Sequence, residues 1–137
     1  MIKVVKRNLW NPIWLIWYKI LFRNANPKTT YFGFGKLMIT PNGMISNDLY
    51  IHEKVHLEQQ KYSYIYGLWW YICYIFSQKF RLKMEIPAYG EQIKSIKQYK
   101  HNTRVKIQVA SLLKTMYKID MSEVEIYSKL TEYVNKN

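Results

Sequence analysis

The residues with the clearest potential for chemistry lie in one short segment, His52 to His56, whose sequence is His-Glu-Lys-Val-His. If the segment is helical, residues four apart share a face with Cβ atoms about 5–6 Å apart, so His52 and His56 can each offer a ring nitrogen to one ion. Zinc binds imidazole nitrogen at about 2.0–2.1 Å, which this spacing accommodates. Glu53 would flank the ion without ligating it and could accept a proton from bound water. The pattern predicts a metal site with a general base beside it.

A zinc site of this kind needs a third protein ligand from elsewhere in the chain. Our candidate is Glu85, which opens the next predicted helix. Glu58 and Glu91 are weaker substitutes, because Glu58 is poorly phased for an ion that its own helix holds. Two alternatives stay open. The first is that the two histidines and Glu53 meet by chance on a surface helix, and the second is that Glu85 and Glu91 are solvated helix acids.

Helices must position these residues. The cluster from Ser46 to Asp48 is typical of a helix start, so we predict a helix from about Leu49 through the mid-sixties that carries both histidines. The apolar run from Leu68 to Phe76 is interpreted as a separate helix that begins after Gly67. A further helix is predicted from about Met84 to Tyr99, in which Pro87 is tolerated only within the first turn.

The rest of the chain supplies one β segment and three more helices. Residues 29–40 are rich in β-branched and aromatic residues around two glycines, and a Pro-Asn-Gly turn follows. Asn11-Pro12 predicts a short aromatic helix that ends near Arg23. The C-terminal third predicts two helices, the second opened by a Ser-x-x-Glu capping box at Ser122. Their predicted core stripes are Val105, Val109, Leu112, Leu113 and Met116, and Val124, Tyr127, Leu130 and Val134.

These motifs resemble a known group of proteins. The His-Glu-x-x-His segment followed by Glu-Ile-Pro-Ala-Tyr at residues 85–89 resembles the gluzincin clan of zinc peptidases. With Gln59 and Gln60 included, the pattern is similar to minigluzincins and to short proteins of tailed phages and bacteria, over roughly residues 30–100. The length of the chain and the lack of a long linker predict a single domain over residues 1–137. The fold that the resemblance implies is α+β and mainly helical, with a short antiparallel edge hairpin packed on two active-site helices and two C-terminal helices.

The resemblance also assigns roles. It makes His52, His56 and Glu85 the ligands of Zn²⁺ and Glu53 the general base, which activates a metal-bound water for hydrolysis of a peptide bond. Residues 35–40 would form an edge strand that holds an extended peptide by main-chain hydrogen bonds, although a plain structural hairpin is an equal alternative.

Six further residues are candidates for substrate binding or for support of the ligands. Many gluzincins have an acid where this chain has Tyr89, so we consider Asp48 for the task of orienting a histidine. Gln60, together with Gln59, could orient ligands or substrate. Tyr89 and His101 are also candidates to stabilise an oxyanion. Tyr99 is a third candidate for that role.

Composition narrows the location and the partners. The formal net charge is +12, but the lysines are spread along the chain, so we do not expect nucleic acid as a partner. A lone cysteine, Cys73, cannot close an internal disulfide and favours a reducing compartment. The stretch from Leu9 to Phe22 is interrupted by Lys19 and no signal peptide is predicted. We therefore expect a cytoplasmic protein, in the host cytoplasm or the virion if a phage encodes it.

Three functions remain open. The first is a zinc metallopeptidase that acts on a peptide or protein substrate. The second is a phage virion or assembly component, whose partners are other phage structural proteins and whose metal site is not catalytic. The third is a basic, aromatic-rich module that binds nucleic acid or a membrane surface. A helix over residues 62–78 would be only about 25 Å long, too short to span a bilayer, so the membrane alternative is a peripheral contact.

Overall fold

A computed structural model describes residues 1–6, 30–96 and 103–136. Within these ranges the strands are β1 (Lys3–Lys6), β2 (Phe32–Phe34) and β3 (Leu37–Thr40). The helices are α1 (Asn47–Gln59), α2 (Tyr64–Phe76), α3 (Gln78–Ser95), α4 (Thr103–Thr115) and α5 (Glu123–Lys136). The prediction of an α+β, mainly helical fold is confirmed. The helix predicted between Asn11 and Arg23, and the candidates Tyr99 and His101, lie outside the described residues.

The three strands form one mixed sheet in the order β1-β3-β2. β2 pairs antiparallel with β3, with Phe34 opposite Leu37, and β1 pairs in parallel on the other side of β3, with Lys3 also opposite Leu37. The prediction that residues 35–40 supply an edge strand is therefore wrong. β1 was missed because it has only four residues, two of them lysines. Since both neighbours pair with β3, its backbone is not open to a bound peptide.

The turn of the β2–β3 hairpin depends on glycine. Gly35 has a φ of +59°, a conformation that L side chains rarely adopt. Gly33 allows β2 to approach α1 closely, because a Cβ there would lie 2.8 Å from Cδ2 of Leu57. Gln60, just after α1, is fully buried and fixes this turn. Its Nε2 donates to the Gly33 carbonyl at 3.0 Å, and its Oε1 accepts from the Gly35 amide at 2.9 Å.

The helix predicted to run through the mid-sixties is two helices. α1 ends at Gln59, because Lys61 and Tyr62 have positive φ values of 52° and 51° and the Tyr62 amide donates back to the Leu57 carbonyl. α2 then begins at Tyr64, so Gly67 lies inside it, not before it. Tyr71 of α2 donates its hydroxyl to the Gly33 carbonyl at 2.7 Å, which holds α2 against the hairpin.

α3 begins earlier than predicted. The Ser77 side chain caps it by accepting from the Phe80 amide at 3.2 Å, so the helix starts at Gln78 and not near Met84. Pro87 consequently lies in the middle of the helix, and the prediction that only a first-turn position would tolerate it is wrong. Proline has no N–H, so the carbonyl one turn earlier, of Lys83, does not receive its usual helical hydrogen bond.

The chain forms two compact units, Met1–Ile72 and Cys73–Asn137, and α2 runs across the boundary. The first unit contains the sheet and α1. The second contains α3, α4 and α5, whose buried residues form one hydrophobic core. The single domain over residues 1–137 remains a prediction. The core of the second unit consists of Leu82, Ile93, Val109, Ala110, Leu113, Ile119, Ile126, Leu130 and Val134.

The capping box at the start of α5 is confirmed. The Glu125 amide donates to Ser122 Oγ at 3.2 Å, and the Ser122 amide donates to Glu125 Oε2 at 3.0 Å. Two members of the predicted core stripes are wrong, because Val124 is 77% exposed and Met116 is 58% exposed. On α5 the buried position belongs instead to Ile126, which is one turn before Leu130.

Candidate metal centre

α1 buries polar side chains. His52, Glu53 and His56 are all buried, and Leu57 is the only apolar residue of this helix that is equally inaccessible. Burying a charged or strongly polar group costs free energy unless a partner or a metal compensates. The buried polar residues are the ones that the His-Glu-x-x-His pattern singled out, so the helix positions the motif inside the protein.

The two histidines of α1 meet through their Nε2 atoms, which are 3.1 Å apart. Their ring centroids are 4.8 Å apart and the ring planes are nearly perpendicular, at 80°. Two nitrogens bound to the same tetrahedral zinc, each at about 2.0–2.1 Å, lie about 3.3 Å from each other. The separation of the two Nε2 atoms therefore suits a shared ion.

His56 is oriented by two neighbours. Its Nδ1–H donates to Oε1 of Gln59 at 3.0 Å, which leaves Nε2 with the lone pair that a metal needs. The Trp70 indole packs against the His56 ring at a centroid distance of 5.3 Å. Gln59 was grouped with Gln60 in the sequence analysis, and the structure separates them, because only Gln59 bonds to a histidine while Gln60 bonds to the hairpin.

Glu85 is almost completely buried, with 1% of its surface exposed. The Tyr74 hydroxyl donates to its Oε1. Burial, followed by the nearby carboxylate of Glu85, raises the pKa of Tyr74 well above its ordinary value, so the phenol keeps its proton and remains a donor. Tyr74 was not predicted as a site residue, because it lies in an apolar run and no residue of that run indicates a contact with Glu85.

His52, His56 and Glu85 form a buried group that could hold a metal ion. Each offers one ligand atom, and these atoms all lie within 4.8 Å of one another. These are the three residues that the sequence predicted as ligands. Glu53, the predicted base, directly follows His52 in α1 and is also buried.

The weaker ligand candidates are engaged elsewhere. Glu58 is exposed, accepts from the Tyr62 hydroxyl at 3.1 Å and lies 3.6 Å from the Lys54 ammonium. Glu91 accepts from Lys94 at 2.8 Å and from the Tyr133 hydroxyl at 3.1 Å.

The remaining candidates have other surroundings. The Tyr89 hydroxyl lies 3.2 Å from the hydroxyl of Tyr117. Asp48 is partly exposed in the first turn of α1, where a carboxylate complements the positive end of the helix dipole. The oxygen and the nitrogen of the Gln60 side-chain amide both bond to the hairpin backbone, which makes Gln60 a support of the fold.

Comparison with known proteins adds no relative, because no protein-family model, curated protein or solved structure matches this chain. The resemblance to gluzincins therefore remains a prediction from the motif residues. The chemistry of the site has to be argued from its own geometry.

Proposed function

We propose that this protein is a zinc-dependent hydrolase of peptide bonds. The observation that carries the proposal is the buried group of His52, His56 and Glu85, with Glu53 buried on the same helix as the two histidines. Two imidazoles and one carboxylate are a donor set that catalytic zinc sites use, and three protein ligands leave a fourth position for water or substrate.

The donor set favours zinc over calcium, magnesium and Cu(I). Calcium and magnesium prefer sites made of oxygen ligands, and Cu(I) prefers thiolate or thioether sulfur. Two imidazole nitrogens with a single carboxylate fit neither preference. The hydrogen bonds from His56 to Gln59 and from Tyr74 to Glu85 are of the kind that orients metal ligands in proteins.

His52, His56 and Glu85 would hold the zinc, which would polarise the substrate carbonyl and make a water molecule more acidic. Glu53 would accept a proton from the attacking water while the water oxygen bonds to the carbonyl carbon of the peptide. The carbon–nitrogen bond then breaks, and Glu53 returns the proton to the leaving amine. A buried carboxylate suits this role, because bulk water does not compete for the proton that it carries.

The test separates metal binding from catalysis. We expect Glu53→Gln to keep about one zinc per chain, like the natural protein, and to slow peptide cleavage by about 10²–10⁴-fold. Elemental mass spectrometry measures the zinc, and mass spectrometry of a mixed peptide library measures cleavage without assuming a substrate. Glu58→Gln is the matched control, because Glu58 is exposed on the same helix, and it should retain both properties. Unchanged cleavage by Glu53→Gln would contradict the role of the base.

A second candidate is a zinc site that only stabilises the fold. It is favoured by the burial of all three residues of the group and of Glu53. It predicts that zinc raises the melting temperature while the natural protein cleaves no member of the library. The hydrolase proposal predicts both the stabilisation and the cleavage.

A further inference from the structure

The helix after the metal centre exposes apolar side chains. Ile65 is 84% exposed, Trp69 is 64% exposed and Phe76 is 83% exposed. Leu68 and Ile72 are also exposed, and the five positions are spaced at three, four, seven and eleven residues from Ile65. This spacing places them along one face of α2, which we name the α2 stripe.

The opposite face of α2 is already used by the protein. Gly67, Trp70 and Tyr71 are buried, and the Tyr71 ring lies 6.1 Å from the ring of Phe34 in β2. The α2 stripe is thus the second apolar face of a helix whose first face is packed. A contiguous exposed apolar surface of this kind marks an interaction site more often than an accident of composition.

The charged residues that flank α2 most closely in the sequence are all positive. The chain has no acidic residue between Glu58 and Glu85. Lys61 lies three positions before α2 and Lys79 lies three positions after it, and both are exposed. The Lys61 ammonium lies 4.4 Å from the centroid of the Tyr66 ring. With a net charge of +12, the stripe is bordered by positive charge that complements anionic phosphate groups.

The same charges argue against a second copy of this chain as the occupant. A symmetric dimer through the α2 stripe would bring Lys61 and Lys79 of both copies to one interface, and like charges placed together disfavour association. An anionic surface gains from the same lysines.

The aromatic residues and the length of α2 indicate how such a surface would be bound. Tyr64, Tyr66 and Trp69 are exposed, and amphipathic rings of these types concentrate where lipid headgroups meet hydrocarbon. Within the described residues, none of the helices combines the length and apolar character needed to traverse a bilayer. A helix of 13 residues is about 20 Å long and suits a position in the plane of the interface.

We propose that α2 docks this protein on the surface of an anionic phospholipid bilayer. The side chains of the α2 stripe enter the boundary between headgroups and acyl chains, and the flanking lysines contact lipid phosphates. This inference goes beyond the hydrolase proposal and does not depend on it, since no residue of the stripe belongs to the metal centre.

The test uses the full chain and sedimentation with vesicles of phosphatidylcholine that contain a minority of phosphatidylglycerol. We expect the natural protein to bind these vesicles, to bind neutral phosphatidylcholine vesicles more weakly, and to be released by salt. The triple variant Ile65→Gln, Trp69→Gln, Phe76→Gln should partition at least about 100-fold more weakly. The matched control is Ile107→Gln, Met116→Gln, Val124→Gln, which removes three exposed apolar side chains outside α2 and should bind normally.

Three results would overturn the proposal. The α2 variant could bind vesicles as well as the natural protein, which would place the lipid contact elsewhere in the chain. The natural protein could bind no vesicles, or bind neutral and anionic vesicles equally. Finally, the natural protein could be a dimer that the α2 variant dissolves while neither binds vesicles, which would make a second copy the occupant. Circular dichroism and zinc content, unchanged in both variants, show that each remains folded.

Discussion

Two consecutive helices of this protein reverse the usual distribution of side chains. α1 buries two histidines and a glutamate, whereas α2 exposes Ile65, Trp69 and Phe76. In an ordinary helix of a globular protein the apolar stripe faces the core and the polar residues face water. α5 follows the ordinary rule, because Ile126, Leu130 and Val134 are buried. A departure from the rule has to be compensated, and the compensation proposed here is a metal ion for α1 and a lipid surface for α2.

The comparison shows what hydrophobicity alone would have missed. Composition would place α2 in a core and α1 at the surface. The residue types and spacing of His52, Glu53 and His56 predicted a metal site on α1, and the structure buries all three side chains. For α2 the aromatic and apolar run only raised the question of a peripheral membrane contact. The exposed stripe became visible once its opposite face was seen to be packed.

The largest expected effect is a loss of zinc affinity when the buried polar face of α1 is altered. Loss of a residue that hydrogen-bonds to a metal ligand typically weakens metal binding by roughly 10–100-fold. We expect His52→Ala to weaken zinc binding by more than this, because it removes a ligand itself. Competition against a chromophoric chelator measures the affinity. Lys54→Ala, on the exposed side of the same helix, is the control and should bind zinc normally. Equal affinities in the two variants would show that the polar face of α1 holds no metal.

Gln60→Leu tests the residue just after α1 that supports the fold. The Gly35 amide would lose its acceptor in a buried position, so we expect a loss of about 1–3 kcal/mol in the free energy of unfolding. Urea denaturation measures this loss. Zinc affinity of the folded protein should be unchanged, and a large fall in affinity would place Gln60 in the metal centre.

Gln59→Leu is the paired experiment on the neighbouring residue. Loss of the hydrogen bond to His56 Nδ1 frees the ring to rotate and to change tautomer, so zinc affinity should fall about 10–100-fold. Gln108→Leu, an exposed glutamine on α4, is the matched control. If Gln59→Leu behaves like the control, the His56 ring does not depend on this amide.

Ser122→Ala tests α5, the helix with the usual buried apolar face, by removing its N-terminal cap. We expect it to cost about 1 kcal/mol in the free energy of unfolding at neutral pH, because the N-terminal cap is lost. The side-chain hydrogen bond from Ser122 to Glu125, followed by the one from the Ser122 amide, lowers the pKa of Glu125. This carboxylate therefore adds stability above its unfolded pKa and loses that contribution as the pH falls through its folded value.

The pH dependence supplies the control for that prediction. The difference between the natural protein and Ser122→Ala in urea denaturation should shrink in acid, below the pKa of Glu125. A difference that stays constant with pH would show that the ionised carboxylate takes no part in the cap. Neither variant should change zinc affinity or vesicle binding.

Much of the fold and the site was predictable, and the misses have physical causes. The α+β fold class, the capping box and the pairing of His52 with His56 follow from local patterns at fixed spacing. Glu85 was chosen from the remaining acidic residues and from the resemblance to gluzincins, and it lies in the same buried group. β1 and the partnership of Tyr74 with Glu85 do not follow from local patterns, because each depends on a contact with residues distant in sequence. The position of Pro87 was wrong because Ser77, a cap that sequence analysis overlooked, starts α3 earlier. Val124 was wrongly predicted to be buried, because a shift of one residue along a helix changes which side faces the core.

The central claim is that His52, His56 and Glu85 bind one zinc ion and leave a coordination position free. X-ray absorption spectroscopy of the zinc-loaded chain tests it most directly. The account predicts a first shell of about four nitrogen and oxygen atoms at about 2.0–2.1 Å, with the multiple-scattering signal of two imidazoles. A first shell without imidazole, a sulfur ligand, or a chain that retains no zinc after dialysis would contradict it.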